Sequence, residues 1–171
     1  MKNIILIVFL VFVIVVGFNM INSQIFKNFI YTFNPPKDYF DYLVNESLDI
    51  SQIGTKKFEF RNKYKGKHSV KIVLENFPDD LYFSKNNQIV WKLKFKIDFY
   101  VKDSLVFSST KNLMEPFVGK DSGYFILIYE CPKDLPINQK IICNVTIIEP
   151  DYIFTNKYGP VRFCINKMSD K

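Results

Sequence analysis

From Trp91 to Val101 the chain reads WKLKFKIDFYV, in which Trp91, Leu93, Phe95, Ile97 and Phe99 alternate with Lys92, Lys94, Lys96 and Asp98. A period of two assigns the two sets to opposite faces of a β-strand, whereas a helix, with 3.6 residues per turn, would scatter both around its surface. The same alternation returns along the chain. Val70, Ile72 and Leu74 oppose Lys71 and Glu75; Ile141, Cys143, Val145 and Ile147 oppose Asn144 and Thr146; Val161, Phe163 and Ile165 oppose Arg162 and Asn166. Strands that each carry one apolar face bury those faces by packing one sheet on another. The composition agrees, because 18 Phe, 10 Tyr and no Ala in 171 residues favour a pleated, half-buried surface over a helix.

Turn residues punctuate the chain at Pro35-Pro36, Gly54, Gly66, Pro78 to Asp80, Asn86-Asn87, Lys102-Asp103, Met114 to Gly123, Cys131 to Pro136, Glu149 to Asp151 and Tyr158 to Pro160. Between them strands are expected at about 25–32, 40–50, 57–61, 68–75, 89–101, 104–109, 123–130, 140–149 and 160–166. Within this class the chain resembles immunoglobulin-like domains. An inward-phased Trp91 is followed much later by Asp121-Ser122-Gly123-Tyr124, which leads into a strand ending at Cys131. No cysteine precedes Trp91 and none lies two residues beyond Tyr124, so the inter-sheet disulfide of that family is absent. The expected fold is all-β: an Ig-like antiparallel β-sandwich of about seven to nine strands.

The N-terminus has a different character. Ile4 to Val16 is wholly apolar, Gly17 and Phe18 extend the run, and Lys2 supplies positive charge in front of it. Such a run reads as an export signal, either a retained signal-anchor helix or a cleaved signal peptide, over residues 1–22. No clean A-x-A cleavage site follows the run, which favours the retained anchor, and with the charge kept inside residues 23–171 form one domain on the extracytoplasmic side of the membrane. The first cysteine is Cys131, so no cysteine at the end of the run could receive a lipid. Richness in Lys, Asn, Ile and Phe follows from an AT-biased genome, and the expected location is a bacterial envelope.

Cys131, Cys143 and Cys164 contain no CxxC pair and no metal-ligand spacing. They allow one disulfide with one thiol left over, or three free thiols. A bridge would join Cys131 to Cys143 across a short loop between expected neighbouring strands. No metal site and no cofactor are expected. His68 is the one histidine and has the inward phase of Val70 and Ile72, which leaves few parts for triad or zinc chemistry. Asp79 and Asp80 could flank a glycosidic bond, but after Pro78 they read as turn formers.

The formal charge is +6. Lys92, Lys94 and Lys96 would stand about 7 Å apart on one strand face. Their aromatic neighbours have the opposite phase and cannot stack on bases, which argues against nucleic acid as the partner. The lysines remain a solvated face, or a surface for anionic headgroups or an acidic protein. In the loop Met114 to Gly123, Phe117 and Val118 are apolar residues that either contact a partner or tuck against the sheet. The chain is thus expected to be a non-enzymatic, membrane-tethered or exported interaction module with a protein partner, of the immunity or adaptor type. The alternatives are an envelope hydrolase using loop carboxylates, or a sandwich that binds carbohydrate or lipid headgroups.

Overall fold

The computed structural model describes residues 15–17, 19, 23, 26–27, 30–31, 34–75, 91–114, 116–117 and 121–168. The chain separates into two compact units, one of residues 1–39 with 169–171 and one of residues 40–168. In the first, residues 15–17, 19, 26–27 and 30–31 are helical. The strand expected at 25–32 is therefore corrected. Ser23 starts a helical turn there, its Oγ accepting the Phe26 N–H at 3.1 Å and its carbonyl accepting the Lys27 N–H at 3.1 Å. Residues 1–14, most of the expected apolar helix, lie outside the described residues, and among the described residues no helix is long and apolar enough to cross a membrane.

The second unit is built of two antiparallel sheets, as the alternating phases require. Its strands are β1 (Tyr42–Leu48), β2 (Gly54–Arg61), β3 (Gly66–Leu74), β4 (Lys94–Val101), β5 (Ser104–Asn112), β6 (Pro116–Phe117), β7 (Gly123–Cys131), β8 (Lys140–Glu149) and β9 (Val161–Lys167). One sheet has the order β1-β9-β3-β7-β6 and the other β2-β8-β4-β5. Phe58 of β2 stacks on Phe163 of β9 with ring centroids 4.7 Å apart, and Phe99 of β4 meets Tyr129 of β7 at 4.3 Å, so aromatic pairs join the sheets. Trp91, Leu93, Phe95, Ile97 and Phe99 are all buried, as their phase requires. The ladder nevertheless begins at Lys94 rather than near residue 89. β4 is flanked by β5 and β8, so its lysines do not guard a sheet edge.

Two details depart from a simple wet-face, dry-face reading. On β3 the polar phase is also covered: Ser69, Lys71 and Val73 are as buried as His68, Val70 and Ile72. The segment after β8, read as two turns, forms the helix α1 (Tyr152–Tyr158). Asp151 caps it by accepting the Phe154 N–H, and Gly159 ends it at φ 69°, a backbone angle that favours glycine.

Leu48 pairs with Val161 immediately after α1, whereas Tyr42 pairs with Asn166. The chain therefore enters β1 and leaves β9 at the end of the sandwich opposite α1.

Candidate functional site

Lys92, Lys94 and Lys96 fall on the polar side of β4 and its approach, but they do not form a uniform cationic row. Lys96 Nζ lies 2.9 Å from Asp98 Oδ2, while Asp98 Oδ1 accepts the Ser108 hydroxyl at 2.6 Å. Lys94 is half-buried, and the Lys92 backbone N–H donates to Asp151 Oδ2 at 2.8 Å. Burial works against the Asp98 charge, yet the bonds from Ser108 and Lys96 outweigh it and hold the carboxyl below its ordinary range. A carboxyl depressed in the folded state contributes stability above its unfolded pKa, near 4, and loses it as pH falls through the lower folded value. Stability of the sandwich is therefore expected to be level between about pH 5 and about pH 8 and to fall in more acid solution. Chemical denaturation as a function of pH checks this, with Asp98→Asn giving a shallower acid slope.

Of the apolar loop residues, Val118 lies outside the described residues. Phe117 pairs with Gly123 and packs on Phe125 at 4.8 Å, half-buried against the five-stranded sheet. It also closes over Lys71, whose Nζ lies 4.5 Å from the Phe117 ring and 5.0 Å from the Tyr42 ring. Burial lowers the Lys71 pKa, with Asp121 acting the other way. Asp121 in turn accepts the Tyr42 hydroxyl at 2.6 Å and lies 3.4 Å from Arg162, and these contacts hold its carboxyl low. Sequence phase assigned Lys71 to solvent. In the fold it is the post between two rings that ties β1 and β6 to the sheet.

The cysteines do not meet at one site. Cys131 is on β7 and Cys143 on β8, in different sheets rather than on neighbouring strands, and all three thiols are free and buried. Asn62 Nδ2 approaches the Cys131 sulfur at 3.6 Å, and the Cys164 thiol approaches Asn45 Oδ1 at 3.4 Å. Burial pushes all three pKa values up, that of Cys164 to about 11, which suppresses the reactive thiolate. A maleimide reagent is expected to label none of them in the native protein and all three after denaturation without reductant. A single label would reveal a disulfide. His68 is equally interior, its Nδ1 3.0 Å from the Gly66 carbonyl oxygen and its ring 6.3 Å from Tyr129. Asp79 and Asp80 lie outside the described residues. Among the described residues no cluster of His, Cys, Asp and Glu could hold a metal ion.

The end of the sandwich that carries α1 has a different character. Trp91 meets Phe154 edge-on at 5.0 Å and Tyr158 at 5.5 Å, with Tyr124 5.7 Å from Phe154. Asp151 caps the helix with one carboxylate oxygen and holds the Lys92 amide with the other, fixing α1 to the approach of β4. On this buried base the first turn of α1 presents Tyr152, 66% exposed, and Ile153, 75% exposed. Ile148 is exposed at the end of β8, and Ile53, 71% exposed, precedes the Gly54–Ile147 pair and so falls opposite it. Four large apolar side chains thus stand at one end of a rigid scaffold, with Lys92, Lys94 and Lys157 on the neighbouring positions. Sequence reading missed this group because it took Glu149 to Asp151 and Tyr158 to Pro160 for turns. The signal was present as a capping Asp eight residues before Gly159-Pro160, with Phe154 and Tyr158 four apart.

No family model matches the chain, and no curated protein matches it. A crystal structure of a protein from Sulfurospirillum deleyianum is similar at 12% identity and a TM-score of 0.49, over 73% of this chain and 96% of that one.

Proposed function

We propose that the chain is a non-enzymatic interaction module that binds a protein partner through the α1 end of its sandwich. The observation that carries the reading is the contrast within α1: Phe154 and Tyr158 are buried among aromatic rings, while Tyr152 and Ile153 stand out into solvent. An apolar aromatic anchor held on a rigid base loses little conformational freedom on binding, the property of residues that dominate protein interfaces. The adjoining lysines suit a partner whose apolar pocket is rimmed by carboxylates.

In this proposal the apolar N-terminal run exports the chain across a bacterial cytoplasmic membrane and tethers it there, and the body is an Ig-like sandwich. An immunity-type or adaptor protein requires this arrangement: an anchor, a rigid domain and an exposed contact. Full-length protein purified from its own membranes after crosslinking is expected to carry one stoichiometric protein partner. A Tyr152→Ser, Ile153→Asp variant that folds normally should lose that partner. Turnover of envelope polymers or lipids, with no protein partner recovered, would count against the proposal.

A further inference from the structure

The outer face of the four-stranded sheet carries a cavity that the α1 end does not share. It has a volume of about 400 Å³, within the range of small-molecule sites, and is lined by Lys57, Tyr100, Asp103, Ile142 and Asn144. Strand register explains the grouping. Lys57 of β2 and Asp98 of β4 both pair with Asn144 of β8, while Glu59 and Tyr100 both pair with Ile142. The floor is therefore β8, and the walls rise from the strands on either side of it, about 10 Å apart. Asp103 comes from the two-residue turn between Val101 and Ser104, where Lys102 and Asp103 have φ of 48° and 65°, the geometry of a tight hairpin that fixes the carboxylate. Elsewhere on this face the polar side chains bond to one another: Lys96 and Ser108 to Asp98, Thr55 to Thr146, Lys57 and Lys140 to Glu59. Around the cavity they do not. Among the described residues the Tyr100 hydroxyl, the Asn144 amide and the Asp103 carboxylate have no side-chain hydrogen bond or ion pair, although Tyr100 and Asn144 are half-buried.

We infer that this cavity binds a pyranose ring of a saccharide. Such a ring has a face of C–H groups and a rim of hydroxyls that each donate and accept, and the cavity offers the counterpart of both. The Tyr100 ring and Ile142 supply the apolar surface, a role that the buried Trp91 cannot take. On the rim Asp103 accepts, Asn144 both donates and accepts, and Lys57, with Glu59 at 3.0 Å on one side, keeps further N–H donors. The two charged residues in the lining, Lys57 and Asp103, cancel, which suits a neutral ligand rather than an anion. Among the described residues no cluster could hold a metal ion, so a cation has no site here either. The cavity lies toward the Lys102-Asp103 turn, whereas α1 follows Glu149, which pairs with Lys94 at the other end of β4. Saccharide and protein partner therefore use different residues. One ring on an open surface buries little area, and millimolar dissociation is expected.

The test follows backbone amide shifts of the full-length chain in a sugar-free detergent, titrated in turn with glucose, galactose, mannose and N-acetylglucosamine. At least one of these sugars should saturate in the millimolar range, with shifts centred on Lys57, Tyr100, Asp103, Ile142 and Asn144. Tyr100→Ala and Asn144→Ala should each weaken its binding about tenfold or more, with an unchanged circular dichroism spectrum. Thr110→Ala, on the same face but outside the cavity, should leave binding unaltered. No shift with any of these sugars, shifts that avoid the cavity, binding that survives both cavity variants, or displacement of the sugar by inorganic phosphate would each overturn the inference.

Discussion

Gly123→Ala is expected to be among the most damaging single substitutions in the sandwich. Gly123 opens β7 and pairs with Val73 of β3 and Phe117 of β6. A Cβ built there runs into the Ile72 carbonyl oxygen and crowds the Val73 backbone, and neither can yield as a flexible side chain would. Separating β7 from β3 would disturb the Lys71 post as well, since Phe117 is placed over Lys71 through its pairing with Gly123. The cost should reach about 3 kcal/mol or more, the upper range for overpacking. For a unit of this size that lowers the melting temperature by about 10 °C. Thermal denaturation followed by circular dichroism measures it, and a change within a degree or two would show that the strands separate without strain.

Phe154→Ala should cost about 3 to 5 kcal/mol, because it empties the ring at the centre of the Trp91, Tyr124 and Tyr158 group. Its effect on function is expected to exceed what the loss of stability explains. α1 is seven residues long and made of Tyr, Ile, Phe, Thr, Asn and Lys, too short and too poor in helix formers to persist without its packing. Loss of Phe154 therefore releases Tyr152 and Ile153 from their fixed positions. Hydrogen exchange should show residues 152–158 opening while β8 and β9 stay protected, and partner affinity should fall more than the folded fraction does. Uniform loosening of the whole unit would instead make Phe154 an ordinary core residue.

The strands could be read from the sequence wherever burial fixes parity. Trp91 through Phe99 and Ile141 through Ile147 keep their predicted inner phase, because a one-residue slip would turn each entire apolar set to solvent. Parity failed on β3, where Lys71 belongs to the polar phase yet is only 9% exposed. Phe117, 46 residues further along, closes over it, and alternation within one strand carries no information about a distant loop. α1 was hidden for a related reason: its helicity comes from two caps and from tertiary packing of Phe154 and Tyr158, against the local propensity. Phe26, Lys27, Ile30 and Tyr31 show the reverse error, in which an aromatic and β-branched stretch is helical from a Ser23 cap. The candidate contact residues followed the same division. Lys92, Lys94 and Lys96 were visible as a pattern, but the pairing of Lys96 with Asp98 and of the Lys92 amide with Asp151 is brought about only by the folded sheet.

Site-specific photocrosslinking in the living source cell separates the two ends of the sandwich as partner surfaces. A photoreactive residue would replace Ile153 at the α1 end, and in a second variant Ile137, also exposed, in the loop at the opposite end. A discrete protein adduct is expected from position 153, abolished by Tyr152→Ser in the same chain, with no such adduct from position 137. An adduct from position 137 but not from 153 would place the partner surface away from α1.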